Sequence, residues 1–252
     1  MRPARGLRPV YSARPRPWRG AGKAERVAPP VVRGEHAGAL LDGYLAQPAE
    51  GASNGAGLIV IQEWWGLTPD IREVAERYAA EGYLAYCPDL YHGEVADEPD
   101  EARKHALMLD RESAVAEILA AVRWLREEHG ARSVGVTGFC LGGSLTLEAM
   151  TRPGSGIDAG HAYYGGGQLA AEHVATISAP VAGSYGSLDE SIPAEQVDAI
   201  RAALEGAGTE NDIVLYDGAR HAFFNPTREA YHAEAAADSW RRSLAWWRRH
   251  LL

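Results

Sequence analysis

Cys140 occupies Gly138-Phe139-Cys140-Leu141-Gly142-Gly143, between an apolar, β-branched run (Val134, Val136) and a helix-compatible one, Ser144–Met150. This reads as strand, sharp turn and helix, with a cysteine at the apex and a glycine two residues to either side. The turn needs glycine because its apex is held in a strained conformation and neighbouring Cβ atoms would collide with strand and helix. It lifts the apex side chain clear of the sheet and sets it at a helix N-terminus, where the dipole favours thiolate over thiol. The chemistry so served is nucleophilic attack. The competing reading is an inert, buried cysteine in a tight turn.

A cysteine nucleophile needs a base, and the base needs an orienting carboxylate. On a strand–elbow–helix scaffold the chain order is nucleophile, acid, histidine. Of nine histidines, His221 alone has that position, in the loop Gly218–Phe224 between the last expected strand and the final helix. His161 falls inside an expected strand and reads as core. His92 and His105 lie in a crossover, and His36, His129, His173, His232 and His250 read as surface positions. Asp189, in the loop Gly186–Ser191, is the expected acid, with Glu190 and Asp217 as rivals. The oxyanion hole should combine the backbone N–H of Leu141 with that of Trp64. Glu63, ending a buried run and followed by two tryptophans, should be poorly hydrated and hard to ionise. It is either a charge-paired structural acid or a group acting on Cys140.

These residues must be positioned by strands alternating with helices. Leu58–Ile61, Tyr83–Cys87, Val134–Val136, Ile157–Tyr164, Pro180–Tyr185 and Ile213–Tyr216 read as strands, and Ala39–Ala46 as a strand or hairpin before them. Helices are expected from Pro69 behind a Thr68 cap, over 100–109, from Asp110, from Ser144, over Ile192–Leu204, and from Pro226 to about Leu251. The alternation implies a single α/β domain, a mostly parallel sheet with helices on both faces, with ligands beyond the C-terminal strand ends. That rule gathers the loops holding Glu63, Cys140, Asp189 and His221. In the last helix Trp240, Leu244, Trp247 and Leu251 share one face and should pack on the sheet; a helix lying on a membrane surface is the competing reading.

Gln62–Gly66, Pro88–Tyr91, Gly138–Gly143, Tyr163–Gly165, Asp189 and Arg220–Phe224 together resemble the dienelactone hydrolases (carboxymethylenebutenolidases), over about residues 35–250. The resemblance implies the α/β-hydrolase fold. It also implies a Cys140–His221–Asp189 triad opening an enol-lactone or activated ester through a thioester. By the same resemblance the resting thiol is largely neutral, Glu63 helps form the thiolate once substrate arrives, Tyr163 lines the site, and Tyr91 belongs to the substrate-binding set. Two arginines hold the substrate carboxylate in that family. One falls at Asn225 here, and the other at Pro99 or, with a gap, Arg103. Loss of a bidentate clamp changes the expected substrate.

The rival expectations are a general carboxylesterase or thioesterase on the same fold, an idle binding module, and a redox sensor at Cys140. Two cysteines (Cys87, Cys140) are too few for a disulfide scaffold, so a reducing cytoplasm is expected. No apolar run approaches the ~18 residues of a membrane span. No cofactor is expected, and no His/Cys/Asp cluster has metal-ligand spacing. The net charge is −9, with +7 on residues 1–30 and so −16 on the remainder, which argues against nucleic acid as a partner. The expected partner is a small-molecule lactone or ester, taken by a monomer. Residues 1–30 read as a disordered basic extension and 31–252 as the hydrolase domain. A protein starting near Val31 should therefore keep its melting temperature and its activity; a loss of several degrees in thermal denaturation would show that the segment docks.

Overall fold

A computed structural model describes residues 31–167 and 169–252; the expectation for residues 1–30 lies outside them. The strands are β1 (Val31–Val32), β2 (Glu35–His36), β3 (Ala39–Leu40), β4 (Gly43–Ala46), β5 (Ala56–Ile61), β6 (Leu84–Pro88), β7 (Ser133–Phe139), β8 (Ala159–Tyr163), β9 (Val181–Gly186) and β10 (Asn211–Tyr216). The helices are α1 (Pro69–Ala80), α2 (Pro99–Met108), α3 (Arg111–Glu127), α4 (Leu141–Met150), α5 (Ala171–Val174), α6 (Ala194–Gly206) and α7 (Ala233–Leu251). Eight strands form one sheet in the order β1-β4-β6-β5-β7-β8-β9-β10, while β2 and β3 form a separate hairpin. β4 runs antiparallel to both its neighbours, and the pairs from β6 to β10 are parallel. The chain has the α/β-hydrolase fold expected of it.

Each face of the sheet has its own core. Aliphatic residues of α3, α4 and α6, among them Ile118, Leu145 and Ile200, cover one. The other, under α1 and α7, is rich in aromatics, with Tyr78, Tyr163, Phe224 and Trp247. Trp240, Leu244, Trp247 and Leu251 are all buried there, so the apolar stripe of α7 is a sheet-packing face.

Helix starts follow local chemistry. The Asp110 carboxylate accepts the N–H groups of Glu112 and Ser113 and caps α3. α1 opens on Pro69, but the Thr68 side chain makes no capping bond. α7 begins at Ala233 rather than near Pro226. The intervening residues are folded as turns, with Asn225 Oδ1 accepting the Thr227 N–H at 3.0 Å and the His232 N–H bonded to Phe223 O at 2.9 Å. His232 then caps the helix, its Nδ1 accepting from the Ala235 N–H.

Strand register brings the chemically rich loops together. Ile61 pairs with Gly138 and Phe139 with Tyr163, so the loops after β5, β7 and β8 leave the sheet side by side. Tyr216 pairs with Gly186, which sets the loops after β9 and β10 next to each other. The elbow itself rests on backbone contact. A Cβ on Gly142 would lie 2.5 Å from Gln62 O and 2.6 Å from Ile61 O, and one on Gly138 would lie 2.2 Å from Gly142 O. Backbone cannot step aside as a side-chain tip can. Gly142→Ala should lower stability by about 1–3 kcal/mol, measurable by chemical denaturation, whereas Gly206→Ala, with nothing within 4 Å, should not.

Candidate active site

Cys140 stands between β7 and α4 with φ 55° and ψ −113°, a conformation that L residues rarely adopt. Its N–H bonds to Tyr163 O at 3.0 Å, anchoring the apex to the end of β8. The side chain is half-buried, at the N-terminus of α4. Leu141 is the first residue of that helix, where a backbone N–H has no partner within the helix. Trp64 lies in the turn after β5, half-buried, its ring edge-on to Trp65 at 5.3 Å.

His221 meets the elbow from the loop after β10. Its Nδ1 donates to Asp189 Oδ2 at 2.7 Å, and the ring is also hydrogen-bonded to Cys140. With Nδ1 committed to Asp189, Nε2 is the nitrogen left for the thiol. Burial works against the charged imidazolium. Hydrogen bonds to Asp189 and Cys140, with the negative charge each can carry, outweigh it and push His221 up to about 10. The Asp189 side chain is buried, and its Oδ1 accepts the N–H groups of Ser191 (2.8 Å) and Ile192 (3.0 Å). The rival acids are elsewhere. Asp217 and Glu190 are both exposed, and Asp217 takes a hydrogen bond from Ser187 Oγ.

Glu63 is 3% exposed. It accepts hydrogen bonds from the Tyr164 hydroxyl at 3.3 Å and from Asn225 Nδ2 at 3.1 Å. Burial holds its carboxyl above the usual carboxylate range, against the opposing pull of the Asn225 hydrogen bond and the charges of Arg228 and His221. Tyr164 stands between this carboxyl and the rest of the site, its ring 5.1 Å from that of His221. Tyr91, from the loop after β6, is buried and stacks on His105 at 5.1 Å. Burial raises its phenol. Among the described residues no group of three or more His, Cys, Asp or Glu is placed to hold a metal ion.

Thiol, imidazole, carboxylate and a helix N-terminus thus meet on one strand-end surface. Residues 41–251 match the dienelactone hydrolase family. The chain belongs to that family. Protein usf of Aquifex pyrophilus is 34% identical over 232 residues, spanning 88% of this chain and 98% of the relative. A protein of Escherichia coli K12, provisionally named a carboxymethylenebutenolidase, is 33% identical over 82% of each chain. A crystal structure from Klebsiella pneumoniae, provisionally titled a dienelactone hydrolase, superimposes with a TM-score of 0.75 at 32% identity, covering 86% of this chain and 98% of that one. As a dienelactone hydrolase family member, the chain is a hydrolase acting on ester bonds.

The geometry places the remaining substrate-binding candidates as follows. Tyr163 does not face the site: its hydroxyl donates to Ser239 O at 3.2 Å, beneath α7. Alternation along β8 explains this, because Tyr163 shares a face with His161, on which it stacks at 4.2 Å. The tyrosine beside Glu63 is its neighbour Tyr164, which sequence reading passed over; its φ of 39° turns it out of the strand pattern. Asn225 is engaged with Glu63, and Arg103 lies exposed on α2. Neither is placed as half of a carboxylate clamp. His161, as expected, is core: it bonds Ser184 Oγ at 2.9 Å, and burial pushes it down to about 3.

The His221 value rests on its two partners. Asp189→Asn removes the charge and keeps the shape, so the imidazole should titrate at lower pH than in the parent. NMR titration of the ring protons checks this, and an unmoved midpoint would assign the shift to Cys140 alone.

Proposed function

We propose that this hydrolase opens a small lactone or activated ester by covalent catalysis at Cys140. The observation that carries the reading is the hydrogen-bonded line Cys140–His221–Asp189, with the cysteine on a strained elbow at a helix N-terminus. The Cys140 sulfur, as the thiolate beside the His221 imidazolium, attacks the carbonyl carbon. The Leu141 and Trp64 N–H groups receive the oxyanion. Collapse breaks the C–O bond, the His221 proton goes to the departing oxygen, and a thioester remains. In a lactone that oxygen stays tethered to the acyl chain. Water, deprotonated by His221, then attacks the thioester and releases the acid and the thiol. Asp189 keeps the imidazole in the tautomer this needs and stabilises its charged form.

Glu63 enters as the group that helps form the thiolate. Its hydrogen bond reaches Tyr164, whose ring lies 5.1 Å from that of His221. A buried carboxyl whose ionised form is disfavoured is, once ionised, a stronger base than an ordinary carboxylate. The second reading, a general carboxylesterase or thioesterase, is favoured by Asn225. Where the resemblance places a clamp arginine, this chain has an amide already used by Glu63. Neutral esters then compete with anionic lactones on equal terms.

A panel of small lactones, nitrophenyl esters and acyl thioesters, with and without iodoacetamide, identifies the acyl class. Cys140→Ala should fold and lose turnover by about 10⁴-fold or more; normal turnover would sink the covalent reading and leave a binding module or another nucleophile. Glu63→Gln should slow acylation by about 10²-fold in rapid-mixing experiments without changing the melting temperature. An unchanged acylation rate would return Glu63 to a structural role.

A further inference from the structure

Behind Glu63 the chain carries a second carboxyl for which the mechanism has no use. Asp70, half-buried in the first turn of α1, lines the same narrow hollow as Glu63, together with Tyr164, Asn225 and apolar residues such as Val74 and Phe139. A continuous set of hydrogen bonds joins the two acids. Asp70 Oδ2 lies 3.0 Å from Thr227 Oγ1, Thr227 Oγ1 lies 2.8 Å from Asn225 Oδ1, and Asn225 Nδ2 donates to Glu63 Oε2 at 3.1 Å. The Thr227 N–H also donates to Asn225 Oδ1 at 3.0 Å, which fixes the amide with its NH₂ toward Glu63.

The Thr227 hydroxyl has one proton and two oxygen neighbours, so the bridge has two arrangements. With Asp70 ionised, that proton goes to Asp70, and Asn225 Oδ1 keeps only the backbone donor. With Asp70 neutral, its O–H donates to Thr227, and the Thr227 proton goes to Asn225 Oδ1. The amide is then polarised, and its NH₂ becomes a better donor to a Glu63 carboxylate. Direct repulsion acts in the same sense, since a negative Asp70 disfavours a negative Glu63.

We infer that Asp70 is a positioning residue that sets when Glu63 ionises, acting across the hollow and through the Thr227–Asn225 bridge, so that the two acids behave as one unit. The inference rests on the reading of Glu63 as a participant in thiolate formation. The other groups facing Glu63 are accounted for on each side. Arg228, over the Trp65 ring at 4.0 Å, and His221 favour the carboxylate from the loop after β10. Tyr164 donates from the end of β8. Among the charged groups shifting Glu63, Asp70 alone acts to keep it neutral.

The Glu63 carboxyl can be titrated by difference infrared spectroscopy, its band assigned by loss in Glu63→Gln. In Asp70→Asn, where the new amide donates to Thr227 as a neutral Asp70 would, Glu63 should ionise at lower pH than in the parent. The acidic limb of the acylation rate should move with it. In a Thr227→Val background the Asp70→Asn shift should shrink, because only the through-space part survives. A Glu63 band that titrates unchanged in Asp70→Asn, with the fold intact by thermal denaturation, overturns the inference and leaves Asp70 a structural partner of Thr227. If the band shifts but the rate profile does not, the coupling stands and the role given to Glu63 in catalysis falls. Should Asp70→Asn fail to fold, Asp70→Ser removes the same charge and is read by the same band.

Discussion

The site depends first on how closely backbone approaches backbone around the elbow. Gly142 lies against the carbonyls of Ile61 and Gln62, Gly143 against that of Tyr163, and a Cβ on Gly165 would lie within 2.5 Å of Gly143 backbone atoms. Three consecutive parallel strands therefore end on the same few atoms. This contact holds Cys140 at φ 55°, a cost that is sustainable only where surrounding structure leaves no alternative. The same contact fixes where everything else must be. The loop after β5 brings Glu63 and Trp64 because its carbonyls form the wall against which Gly142 packs. The loop after β8 brings Tyr164 because Tyr163 O is the acceptor for the Cys140 N–H.

On that frame, charge decides protonation. His221 and Glu63 are both sheltered from water, yet burial does not win in both. For His221 the hydrogen bonds to Asp189 and Cys140 overcome it, and the ring is held towards its charged form. For Glu63 the partners are a neutral amide and a phenol, with cations only at longer range, so burial prevails and the carboxyl is held towards its neutral form. One site thus keeps a proton-rich base and a proton-rich acid on either side of Tyr164. This division arises from which partners touch, not from how deep each group lies.

Much of this was legible in the sequence. The elbow, the order nucleophile–acid–histidine, and the placing of Asp189 and His221 after strands all follow from local pattern and from the rule that parallel sheets bind at their C-terminal ends. The start of α7 was not legible, because a proline after an aromatic pair suggests a helix, whereas Asn225, Thr227 and His232 build turns through side-chain contacts. The Tyr163–Tyr164 pair was misassigned for a simpler reason. His161 had already been placed in the core, and the period-2 rule then obliges Tyr163 to share its face. Asn225 was read as an arginine lost, and only side-chain geometry shows it as a donor gained by Glu63.

His161 gives the last measure of what separates chemistry from packing here. It is hydrogen-bonded to a side-chain hydroxyl, Ser184 Oγ, at 2.9 Å. It lies between β8 and β9 under α7, 1% exposed, stacked on Tyr163 and facing Trp247. No carboxylate orients it, the positive charge of Arg242 adds to burial in keeping it neutral, and Ser184 sits mid-strand in extended backbone. His221 differs in each respect: an acid behind it, a nucleophile lifted out of the sheet before it, and an open side. A histidine beside a hydroxyl is therefore common property of a packed α/β core. What sets His221 apart is the strained turn that carries Cys140 out of that core and the buried Asp189 that follows the imidazole there.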